Sequence, residues 1–95
     1  MYLKNTILNY YHEVELTYIS GDIVEMVIEG YEDTIGDLTI ANYEHLESIV
    51  FKDKSIQNVR SLVITNNPLL KTVFFGKYTC EHVAKLELSR LFYLN

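Results

Sequence analysis

Apolar side chains recur along this chain in two short alternating patterns, Leu-x-Ile and Leu-x-x-Val-x-Phe, and the pair returns after 24 residues. Leu38, Ile40, Leu46, Ile49 and Phe51 come back as Leu62, Ile64, Leu70, Val73 and Phe75. Ile35, Val59 and Val83 open successive copies, and Leu86, Leu88 and Leu94 start a third. Apolar residues two apart are what a strand with one buried face requires. Val, Ile, Thr, Phe and Tyr, which dominate these stretches, suit a pleated surface. Each copy therefore predicts two strands. Residue identity is shared as well as polarity, as in Leu38/Leu62/Leu86, Asn42/Asn66 and Phe51/Phe75, so an internal repeat explains the echo better than bulk hydrophobicity does.

Turn chemistry falls between the predicted strands. Asn66-Asn67-Pro68 separates the two strands of its copy, where proline fixes its own φ and pushes Asn67 away from the helical region. Gly76 follows Phe75, as Gly30 follows Ile28. Ser55–Val59 and Thr79–Val83 bridge one copy to the next and read as a single helical turn each, with Ile56 and Cys80 at the same inward position. Backward along the chain, Val14 and Leu16 match Leu38 and Ile40, and one extra residue then shifts Ile23, Met26 and Ile28 onto Leu46, Ile49 and Phe51. That insertion predicts a bulge at a corner near Ser20–Ile23. No linker interrupts the pattern, so residues 1–95 read as one domain with frames 1–10 (partial), 11–34, 35–58, 59–82 and 83–95 (partial).

Val59-x-x-Leu62-x-Ile64-x-x-Asn67-x-Leu69 resembles the leucine-rich-repeat pattern Leu-x-x-Leu-x-Leu-x-x-Asn-x-Leu, and the period lies within that superfamily's roughly 20–29 residues. Other copies carry Ile19, Tyr43 and Leu91 where the Asn belongs. The second strand of each copy is closer to the irregular, surface-antigen (BspA-like) type. The resemblance implies a β-rich fold of the α/β class: a right-handed solenoid of about 24 residues per turn, with two short strands per turn, little helix, and the Leu-x-Ile strands in one parallel sheet. It also implies recognition of a protein, or a glycan, through the exposed face of that sheet. Carried onto this chain, that face comprises Glu15, Thr17, Thr39, Ala41, Val63, Thr65, Glu87 and Ser89. An antiparallel β-sandwich is the alternative fold, because short strands at regular spacing suggest one too.

Charge changes the picture at one end. Residues 1–37 carry eight acids and only Lys4, net −7, whereas residues 38–95 carry five acids and seven bases, net +2, for −5 over the chain. A nucleic-acid partner is not expected, since phosphate tracking needs Lys and Arg clustered on one face. Met1–Asn5 lacks the basic stretch and apolar core of a secretory leader, and no apolar run approaches the roughly 20 residues that cross a bilayer. A soluble chain with no membrane insertion is expected; its compartment is not indicated.

Candidate chemistry is sparse. Cys80 is the lone cysteine, so no intrachain disulfide forms. Cys80-x-His82 would make a nucleophile with its base only if a third group oriented them, and His12, His45 and His82 fall in three different copies. A buried apolar thiol is the plainer reading of Cys80. Glu25, Glu29, Glu32 and Asp33 cluster, and Asp37 follows. General acid–base work would need two such carboxylates aimed into one pocket, which a strand-and-corner surface does not supply. Tyr11 and Tyr43 align with core positions, Tyr18, Tyr31 and Tyr78 with corners, and Tyr10 and Tyr93 complete a set that could also serve contact. No catalytic, cofactor-binding or metal-ligating set is expected. The residues point to a non-enzymatic interaction scaffold or, as the alternative, to a structural fragment or self-assembly module of a longer repeat protein, associating through uncapped ends.

Overall fold

The computed structural model describes residues 2–8, 12–19, 22–30 and 36–94. Eight strands are present among them: β1 (Tyr2–Leu8), β2 (His12–Ile19), β3 (Asp22–Gly30), β4 (Gly36–Ala41), β5 (Ser48–Phe51), β6 (Val59–Thr65), β7 (Thr72–Phe75) and β8 (Lys85–Ser89). They form a five-stranded sheet, β1-β2-β3-β5-β7, and a three-stranded sheet, β4-β6-β8. From β3 onward, successive strands alternate between the two sheets.

The 24-residue spacing reappears as strand register. In the small sheet Leu38 lies beside Leu62 and Leu62 beside Leu86, and Ile40, Ile64 and Leu88 follow suit, all in parallel. In the large sheet Ile49 lies beside Val73 and Phe51 beside Phe75, also in parallel. Because side chains alternate across a strand, this register stacks like on like. The Phe51 and Phe75 rings lie 5.2 Å apart and 8° from parallel. The core fills the space between the sheets: Met26, Ile28, Ile49 and Phe51 come from one, Ile40, Val59, Leu62 and Ile64 from the other, and Leu46, Ile56 and Leu70 complete it.

Corners repeat with the same spacing. Left-handed backbone occurs at Asn42, Asn66 and Arg90, at Gly30, Lys54 and Tyr78, and at Ile56 and Cys80. Asparagine tolerates this region, whereas a β-branched residue there is a genuine outlier. Ile56, with φ of 49°, is held by complete burial of its side chain. Gly76 answers a different need: a Cβ at that position would lie 2.5 Å from Asp53 Oδ1 and 2.6 Å from Asp53 N. The bridges expected to be helical turns are instead tight turns, with Val59 N donating to Ile56 O and Val83 N to Cys80 O, each at 3.3 Å. No helix occurs among the described residues.

This architecture corrects the fold expected from the repeat. A leucine-rich-repeat solenoid of 24-residue turns over residues 1–95 is not formed: there are two separate sheets, and β1, β2 and β3 run antiparallel. The antiparallel sandwich fails too, since the ladders β3-β5-β7 and β4-β6-β8 are parallel. The described residues of frame 11–34, read as one turn of a coil, form an antiparallel pair in a single sheet. Apolar alternation is blind to strand direction, so Val14, Leu16, Met26 and Ile28 satisfied the echo either way. Chain length between the strands decides. Ile19 pairs with Asp22 across only two intervening residues, which permits a hairpin, whereas a parallel return needs a long crossover. The extra residue is a bulge within the ladder: Thr17 faces Glu25 and Tyr18 faces Ile23, leaving Val24 over.

Candidate functional site

The outer face of the small sheet is built by pairing three strands of similar pattern. In register, Thr39, Val63 and Glu87 form one column, and Ala41, Thr65 and Ser89 the next. Thr39 and Glu87 are exposed, and the other four are partly so. A third column reads Asp37, Ser61, Lys85. Thr65 Oγ1 and Ser89 Oγ are 2.7 Å apart, and Ser89 Oγ donates to Glu87 Oε2 at 3.2 Å. A hydroxyl has one proton, so with Ser89 donating to Glu87, Thr65 is the donor to Ser89. Thr65, Ser89 and Glu87 are thereby held in place by one another.

Glu15 and Thr17 do not belong to it. Both lie on β2, in the other sheet, and Thr17 is 1 % exposed. Its hydroxyl has no hydrogen-bond partner among the described residues. The error follows from the antiparallel course of β2 and β3, which removes this stretch from the stack on which the repeat alignment placed it.

The corners at the ends of β4 and β6 are polar and well satisfied. Asn66 Nδ2 donates to Asn42 Oδ1 at 2.7 Å, joining residues 24 apart. Asn67 is fully buried; its Oδ1 accepts from Tyr43 N at 2.9 Å and its Nδ2 donates to Ile40 O at 3.1 Å. This is a local reason for asparagine at that position, since the amide supplies one acceptor and one donor to backbone groups that would otherwise be orphaned.

Residues singled out for chemistry are dispersed. Cys80 is half-buried, and burial pushes its thiol above the ordinary value, with a hydrogen bond from the Thr79 side chain opposing the shift. A reactive thiol would need the opposite direction. His82 lines a shallow hollow with Asn58, Arg60 and Ala84, and His45 lines another with Asn42, Glu44, Asn66, Pro68 and Leu69. His45 Nε2 lies 3.7 Å from Asp22 Oδ2. Glu25 accepts from Ser48 Oγ at 3.1 Å and Glu29 pairs with Lys52 Nζ at 3.4 Å. These carboxylates bind neighbouring strands and corners. Among the described residues no group of three or more His, Cys, Asp or Glu is arranged to hold a metal ion. Glu32, Asp33, Tyr10, Tyr11 and Tyr31 lie outside the described residues. Tyr43 packs against the core, and Tyr78 and Tyr93 are exposed. No helix among the described residues is long and apolar enough to cross a membrane.

The uncapped end expected from the repeat has a feature that its spacing does not give. Leu86 and Leu88 of β8 face the same way as Leu62 and Ile64 of β6, yet they are 53 % and 43 % exposed while the β6 pair is fully buried. Phe92 and Tyr93 follow, also exposed. Nothing in the Leu-x-Leu spelling distinguishes a covered strand from an uncovered one, and only the position of β8 at the sheet edge reveals it. The chain matches no family model, no curated protein and no solved structure.

Proposed function

We propose that this chain is a non-enzymatic interaction module that binds a protein through the outer face of the three-stranded sheet. The observation that carries the reading is the pair of adjacent columns Ala41-Thr65-Ser89, small and flat, and Thr39-Val63-Glu87, polar but for Val63, with Thr65, Ser89 and Glu87 fixed by hydrogen bonds. A surface ordered before binding loses little side-chain entropy on association, and its lack of bulky groups lets a partner approach the sheet closely. Those six positions hold no aromatic ring on which a sugar could stack, which favours a protein over a glycan.

Thr39→Arg and Ser89→Arg test the reading. Each places a long charged side chain on the face without touching the core, so folding, read by circular dichroism, is retained. A partner captured by the wild-type chain should lose at least about tenfold in affinity to either variant. If both variants bind every such partner as tightly as wild type, the face is not the binding surface.

A further inference from the structure

The two ends of the strand stack are unequal. Among the described residues, the large sheet continues on one side past β3 through β2 and β1, while the small sheet stops at β4. On the other side both sheets finish together, at β7 and β8. There the inward residues Leu86 and Leu88 stand exposed, in register with the buried Leu62 and Ile64. An edge strand presents unpaired backbone donors and acceptors and is a template for another strand. A second copy arriving at the β4 end would meet the two additional strands of the large sheet. A second copy presenting its own β7/β8 end meets a surface of the same shape.

We propose that β8 pairs antiparallel with β8 of a second copy, about a two-fold axis through Leu86, to give a closed dimer with a continuous six-stranded small sheet. The register is chosen by charge. With Leu86 opposite Leu86, Lys85 of each copy lies directly opposite Glu87 of the other on the outer face, and opposite charges in that arrangement are favourable. Moving the axis to Glu87 would set like charges face to face. The Leu86 side chains of the two copies then meet between the sheets, and Leu88 of each lies opposite Ala84 of the other and diagonal to its Leu86, so that the leucines cover one another. The contact is isologous, so it closes at two chains and does not propagate into a fibre.

This proposal concerns the edge of the small sheet; it shares Glu87 with the face assigned to a partner, whereas Thr39, on the opposite edge strand, belongs to that face alone. Analytical ultracentrifugation of the full chain, across a concentration series, is the test. Wild type should sediment as a dimer. Lys85→Glu and Glu87→Lys, both at exposed positions, should each weaken the dimer by roughly tenfold or more, because each replaces two attractive pairs with two repulsive ones. The double variant K85E/E87K should restore it, since the exchanged charges again oppose one another. Leu86→Asp should yield a monomer that melts within a few degrees of wild type. A wild-type chain that stays monomeric at every concentration overturns the proposal. So does a dimer indifferent to the charge reversals, or a K85E defect rescued by Asp37→Lys in place of Glu87→Lys, which would mean a head-to-tail contact with β4. Thr39→Arg, on the opposite edge strand, should leave the dimer intact, so loss of partner binding and loss of dimerisation are read separately.

Discussion

Strands β6 and β8 share a pattern and a sheet but not a fate. Leu62 and Ile64 are fully buried, whereas Leu86 and Leu88, beside them in register, are about half in water at 53 % and 43 % exposure. What differs is the number of neighbours: β6 has a strand on each side and β8 has one. Alternation along a strand determines which face turns inward, and what lies beyond the sheet edge determines whether that face is dry: β4 also has one flanking strand, yet its Ile40 is 4 % exposed, at the end where the large sheet continues through β2 and β1. Removing a fully buried Leu loses its transfer free energy and leaves a cavity. Leu62→Ala and Ile64→Ala should therefore each cost roughly 2–5 kcal/mol in urea denaturation. Leu86→Ala and Leu88→Ala, measured on the monomer, should cost less than about 1 kcal/mol, since half of the side chain is hydrated already. Equal losses at the two strands would break the comparison by showing that β8 is covered in solution.

The residues that follow these strands sharpen the same contrast. Asn67 comes after β6 and is fully buried, bonded to Tyr43 N and Ile40 O. Leu91 occupies the position 24 residues later and is only partly buried. Asn67→Ala strands a backbone donor and a backbone acceptor away from water, and each such group is costly. We expect a loss on the order of 1–3 kcal/mol, accompanied by faster amide exchange at Tyr43. Leu91→Ala should cost about 1 kcal/mol or less. An unchanged exchange rate at Tyr43 in the Asn67 variant would mean that this hydrogen bond does not hold the corner.

Much of the C-terminal part was legible from the spacing of its side chains. The pairs Leu38/Leu62/Leu86, Ile49/Val73 and Phe51/Phe75, read as equivalent from the sequence, are neighbours in the parallel ladders. The first 30 residues were not legible in the same way. Hydrophobic spacing fixes faces and says nothing about direction, and the cue to direction was the two-residue link between Ile19 and Asp22, read as a corner insertion. The left-handed backbone at Ile56 and Cys80 was equally hidden, because isoleucine and cysteine carry no turn signature and tertiary packing imposes that conformation. The candidate face came through in part: Thr39, Ala41, Val63, Thr65, Glu87 and Ser89 do assemble, while Glu15 and Thr17 were misplaced by the same error of direction. The uncovered leucines of β8 were invisible for a further reason, since exposure is a property of the neighbours.

On the outer face the contrast between β6 and β8 narrows, because residues of both strands there are at least partly exposed. Thr65 and Ser89 join the two strands through hydroxyls 2.7 Å apart. Both are partly exposed, so water can replace the lost partner, and Thr65→Val or Ser89→Ala alone should cost under about 1 kcal/mol. A double-mutant cycle should return a coupling of only a few tenths of a kcal/mol. A coupling as large as the core losses would place these hydroxyls in a dry interface.

The smallest effect belongs to Cys80, which stands 24 residues after the fully buried Ile56 and repeats its left-handed backbone while remaining only half-buried. Partial desolvation disfavours the thiolate and raises the thiol pKa in the folded chain, against the smaller, opposing bond from the Thr79 side chain. A thiol that holds its proton more tightly when folded favours the folded state at pH values below the unfolded thiol's pKa. That contribution is lost as pH rises through the folded value. Reaction with a disulfide reagent should therefore climb with pH along a curve displaced to the alkaline side of that for the urea-unfolded chain. Thr79→Val, which removes the opposing bond, should displace it further. A curve shifted to the acid side would show that a positive charge reaches the sulfur. In that case the half-covered side of the comparison would be an electrostatic site, and packing alone would not account for Cys80 where Ile56 stands one repeat earlier.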